Sequence, residues 1–65
     1  MTKLRNVKTR EIRNASVEDI EKAKAAKCKI LEIGEIGDNG KKVNEIIIDV
    51  DTENNVIGVA TIYEE

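Results

Sequence analysis

KVNEIIIDVDTENNVIGVATIY, residues 42–63, decides the fold. Isoleucines at 46, 47 and 48, with Val43 and Val50 beside them and Val56, Ile57, Val59 and Ile62 further on, make two runs rich in β-branched side chains, which suit a pleated sheet. Between the runs stands DTENN. Asp and Asn tolerate left-handed backbone and hydrogen-bond their own main chain, so this segment is suited to a turn. Strands are therefore expected over about residues 42–51 and 56–64.

Working outward, Asp38-Asn39-Gly40-Lys41 contains Asn-Gly, the commonest pair for a two-residue hairpin loop. A third strand is expected before it, over about residues 29–37. If Asn39 and Gly40 form the loop, Ile33 faces Ile46, Leu31 faces Ile48 and Lys29 faces Val50 on one side of the sheet. With a two-residue loop inside residues 52–55, Ile57, Val59, Thr61 and Tyr63 join that side, which is read as the core. Gly34 and Gly58 read as bulges or close approaches within strands.

Upstream, SVEDIEKAKAAK carries the clearest local signal. The Ser16 hydroxyl can accept from the backbone of Asp19, and the Asp19 carboxylate can reach back, forming a variant of the capping box. Acids open the segment and lysines close it, matching the helix dipole. A helix is expected from Val17 to Lys27, with Val17, Ile20, Ala23 and Ala26 or Lys27 as its apolar stripe. The first thirteen residues, MTKLRNVKTREIR, are basic and read as an edge strand centred on Val7 or as a disordered arm. Together these give a single α+β domain over residues 1–65. One short helix (16–28) packs on a three- to four-stranded, mainly antiparallel sheet in the order β-α-β-β-β, with residues 29–64 as a three-stranded meander.

The totals set limits. At 65 residues the chain is near the lower bound for a core that folds without staples. Its apolar content is almost all aliphatic, ten Ile and six Val against one aromatic, Tyr63. Net charge is −2, which gives no bulk attraction to nucleic acid or anionic membrane. Cys28 is alone, so no internal disulfide or multi-thiolate metal site can form, and a small half-buried apolar role is expected for it. With no secretory leader and no membrane-length apolar stretch, a cytoplasmic location is expected.

Asp49, Asp51 and Glu53 are the densest set of candidate ligands. Calcium loops with this spacing need Gly at the sixth position and a bidentate Glu at the twelfth. Asn54 and Ala60 stand there, so a turn is the better reading and no metal or cofactor is expected. There is no His to activate Cys28 or Ser16, and a sheet this small offers little cavity for substrate, so no enzymatic activity is expected. Lys3, Arg5, Lys8, Arg10 and Arg13 could contact nucleic-acid phosphates in a salt-sensitive way, though no aromatic platform accompanies them.

The same register places Ile30, Val43, Ile47, Ala60 and Ile62 on the far side of the sheet, with Glu32, Glu45 and Asp49 around them. Apolar patches rimmed by charge are commonly contact surfaces. A small protein-protein interaction module, such as an inhibitor or adaptor, is therefore expected, using this acidic face. The partner is a second copy, giving a homodimer, or a protein with a basic surface. The alternatives are nucleic-acid binding through the basic segment, or a designed or structural domain without specific function.

Overall fold

The structure is a computed structural model that describes residues 2–26 and 29–65. It is an α+β fold with one helix and a four-stranded mixed sheet. The elements are β1 (Thr2–Asn6), β2 (Ile12–Asn14), α1 (Val17–Ala25), β3 (Val43–Val50) and β4 (Val56–Tyr63). The sheet order is β2-β1-β3-β4, with β1–β3 parallel and the two other pairs antiparallel.

The order is thus ββαββ, not β-α-β-β-β. The basic N-terminal segment forms a hairpin, β1–β2, and the third expected strand of the meander does not form. Asn6 opens the hairpin turn: its side-chain oxygen accepts from the amides of Lys8 and Thr9, and its carbonyl accepts from Arg10, whose φ is +66°. β1 then lies inside the sheet between β2 and β3. Leu4 stands opposite Ile48, and Asn6 opposite Val50.

Those are the places expected for Leu31 and Lys29. The strand over residues 29–37 fails because Gly34 breaks it. Gly34 has φ +85° inside a turn closed by the Glu35 amide on the Glu32 carbonyl, a backbone that residues with a Cβ rarely adopt. Only a short antiparallel contact survives, with Ile36 bridging Lys42 and the Val43 amide donating to Glu35.

The helix follows its local signals. Ser16 Oγ accepts from the Asp19 amide at 3.2 Å, and Asp19 Oδ2 accepts from the Ser16 amide at 2.8 Å, so the capping box is formed. Arg13 adds an ion pair to the same carboxylate at 2.8 Å. Arg13, then the Ser16 amide, hold the Asp19 carboxyl below its usual pKa. The buried face runs through Asp19 and Ala23, with Ile20 packed on the core; Val17, placed on the stripe by spacing, is 72% exposed. The expected helix end at Lys27, and Cys28, lie outside the described residues.

The helix packs against β3 and β4. Leu4, Ala23, Ile48 and Val50 form the buried cluster, with Ala15, Ile20, Ile30, Val56 and Val59 packed around it. Val43 and Ile46 are also buried.

Both turns have three-residue loops where two were expected. Gly37 and Lys41 flank Asp38-Asn39-Gly40, and Asp51 and Asn55 flank Thr52-Glu53-Asn54. Each loop ends in a left-handed residue, Gly40 at φ +77° and Asn54 at φ +64°. That extra residue shifts register by one. In β3–β4 a bulge at Ile57 shifts it back, since Val50 pairs with Val56 and Asp49 with Gly58. Val59 and Thr61 therefore face the core as expected, while Ile57 is turned out and 57% exposed.

Candidate functional site

The sheet face opposite the helix is built from alternate residues of all four strands. Paired positions lie on the same side, so the register assigns Ile12 and Asn14 from β2, Lys3 and Arg5 from β1, Glu45, Ile47 and Asp49 from β3, and Gly58, Ala60 and Ile62 from β4. The helix and the segment after it lie on the other side, where Ile30 packs on the core and residues 30–33 line a groove of about 200 Å³ with Ile20 and Ile46.

Of the residues expected on this face, Glu45, Ile47, Asp49, Ala60 and Ile62 are there. Ile47 sits opposite Ala60 and diagonal to Ile62. Val43 is not: a second register shift lies between Val43 and Glu45, pairs Val43 with Tyr63 and turns Val43 inward, to 1% exposure. Ile30 also lies on the helix side, because its expected strand does not form. Glu32 belongs to the exposed turn before Gly34.

The face is not acidic. Arg5 grips Asp49 with two parallel bonds, Nε to Oδ1 at 2.8 Å and Nη2 to Oδ2 at 3.1 Å. This fork raises the Arg5 pKa above its usual value, first through the hydrogen bond and then through the charge of Asp49. Lys3 lies one position along from Arg5 on the same face. Two cations therefore offset two anions, Glu45 and Asp49. The Arg5–Asp49 bridge also divides the apolar surface. On one side are Ile47, Ala60 and Ile62, the last 42% exposed; on the other, Ile12 (57% exposed) and Val7 line a shallow depression with Arg5 and Arg10.

The five basic residues do not gather into one surface. Lys3 and Arg5 point to the open face, Arg13 points to the helix and pairs with Asp19, and Lys8 and Arg10 stand on the hairpin turn. Sequence reading missed Ile12 and Val7 as members of the open face. The available signal was Asn6, an Asx-turn residue midway between two short runs.

DVDTENN is a turn. Asp51 Oδ1 accepts from the amides of Glu53 and Asn55, both at 2.9 Å, and these bonds, led by Asn55, lower its pKa. Asp49 points away to Arg5, so the carboxylates do not converge. Among the described residues no group of three His, Cys, Asp or Glu side chains is placed to hold a metal ion, and no helix is long and apolar enough to cross a membrane.

Gly58 on this face contrasts with Gly37. A Cβ on Gly37 would sit 2.6 Å from the Tyr63 ring, so packing within the chain requires that glycine. A Cβ on Gly58 would meet nothing within 4 Å, and its backbone is not left-handed. Gly58 directly follows the bulge at Ile57, one of the places where a strand glycine is expected, so the sequence reading of a bulge at this glycine fits. Comparison with known proteins gives no match, whether by family model, by curated sequence or by solved structure.

Proposed function

We propose that this chain is a small interaction module that acts in the cytoplasm by protein contact, not catalysis, through the open face of its sheet. The carrying observation is that isoleucines 12, 47 and 62 stand on a face that no described element covers, where a one-layer domain normally presents polar side chains.

The charge balance of the face directs the choice of partner. Lys3 and Arg5 against Glu45 and Asp49 leave no net sign, so the face suits a neutral, aliphatic surface better than a basic protein. The Arg5–Asp49 bridge fixes orientation, and the flat Gly58–Ala60 strip admits close approach.

Affinity capture with immobilised protein tests this reading. Wild type and Ile47→Glu, both checked for folding by circular dichroism, are compared by quantitative mass spectrometry. A protein retained by wild type and lost with Ile47→Glu is expected. Identical retained sets would remove the open face from consideration.

A further inference from the structure

The two edges of the sheet are protected very differently. An edge strand presents unpaired backbone donors and acceptors, and proteins usually blunt it by brevity, charge or Pro. β2 is blunted: it has three residues with Arg13 at the centre. β4 is blunted only by the bulge at Ile57 near its start: Val56–Tyr63 runs for eight residues without a charged side chain or a Pro. Glu64 donates its amide to the Lys42 carbonyl, so along the regular part of the strand the alternate amides, those of Val59, Thr61 and Tyr63, point away from β3.

The side chains repeat this asymmetry. Val43, Ile46, Ile48 and Val50 of β3 are buried, whereas their neighbours on β4, Tyr63, Thr61, Val59 and Val56, are only partly covered. A strand laid along β4 completes the ladder and the core layer together.

We propose that a second copy of this chain occupies that edge, pairing β4 with β4 antiparallel about a two-fold axis into a continuous eight-stranded sheet. The pairing is centred on Ala60, with Val59 facing Thr61 of the second copy, and by the two-fold symmetry the Ile57 bulges of the two copies limit it at both ends. The strand suits its own copy because it sets no like charges opposite each other. Antiparallel pairing also brings Glu64 and Glu65 of each chain to the other's turn. There Lys22 holds its ammonium 3.4 Å from the Asn54 carbonyl, an attraction that Glu53 on the same turn partly offsets. The inference does not rest on the reading of the open face, but it would enlarge that face: Gly58, Ala60 and Ile62 of the two copies become its centre.

Light scattering across a concentration series reads the mass directly. Wild type is expected to reach twice the 7.2 kDa of one chain. Thr61→Pro removes an outward donor and adds bulk to the edge while sparing the β3 ladder, and is expected to remain monomeric with an unchanged circular dichroism spectrum. Ile47→Glu, on the open face, is expected to keep the dimer. In wild type, exchange of the Val59, Thr61 and Tyr63 amides is expected to slow at least about tenfold as concentration rises into the dimer range. A wild type that stays monomeric at millimolar concentration overturns the inference, as does a folded Thr61→Pro that still dimerises. Loss of the dimer in Ile47→Glu alone would also overturn it, while leaving the open face as the contact. If Thr61→Pro does not fold, the exchange measurement on wild type decides: fast, concentration-independent exchange at those three amides refutes edge pairing.

Discussion

The turns at residues 37–41 and 51–55 have the same backbone plan and very different outcomes. Each closes three residues with a left-handed residue last, and each shifts its strands by one position from a two-residue register. After the second, β3 and β4 run together for eight residues each, because the bulge at Ile57 restores the alternation that keeps Ile48, Val50, Val56 and Val59 inside. Before the first, the chain leaves the sheet at Gly34 and yields its place to β1. A shifted register survives where two long aliphatic strands can absorb it with a bulge, and fails where one strand is short and broken by glycine.

The largest test of this contrast is truncation on either side of the first turn. Ile48→Ala, at a fully buried position, should cost about 2–5 kcal/mol, and Ile33→Ala, at a position 46% exposed, under about 0.5 kcal/mol. Urea denaturation checks both, and similar costs would show that residues 29–37 are as integral to the fold as the hairpin. Next in size is Gly37→Ala, which sets a Cβ against the Tyr63 ring and should cost about 1–3 kcal/mol. Since Tyr63 is the only aromatic, its fluorescence reports the displacement directly.

Smaller effects separate the turns themselves. Gly40→Ala places a Cβ in left-handed backbone at a cost of about 1 kcal/mol. Asn54→Gly, at the equivalent place, should be neutral within a few tenths, as read by thermal denaturation. The smallest effect is a difference in acid response. The first turn is held by the Asn39 side-chain oxygen accepting from the Lys41 amide, a group that does not titrate; the second is held by the Asp51 carboxylate. The Asp51 pKa is lowered from 3.8, so its stabilisation is complete above that value and disappears as pH falls through the lower folded value. Measured relative to the intrinsic exchange rate at each pH, protection of the Glu53 and Asn55 amides should therefore fall on acidification, while that of Lys41 stays unchanged. Equal response at both turns would break the distinction.

Legibility in the sequence followed the range of the interactions. The capping box of Ser16 and Asp19 spans three residues and could be read directly. The β3–β4 pair was legible from its aliphatic runs, and with it the placement of Ile47, Ala60 and Ile62 together on one face. The bulge at Ile57 was hinted at by Gly58 beside it, but nothing around Asn44 signals the second one, and so Val43 was assigned to the wrong side. β1 was the least legible element: Leu4 is its only buried side chain, and the residue it meets, Ile48, lies 44 positions away. The same distance hid the Arg5–Asp49 bridge and made the face look acidic.

That parallel pairing of β1 with β3 also sets an order of assembly. Each β3–β4 pair closes a short segment of chain, whereas every β1–β3 pair must gather about forty residues of chain first, the costlier step in loop entropy. The hairpin should then act as the template, and β1, although earlier in the sequence, is the last to find its place. Folding kinetics would show this as a rate that responds strongly to truncation at Ile48 and Val59 and weakly at Leu4, whose loss would instead speed unfolding.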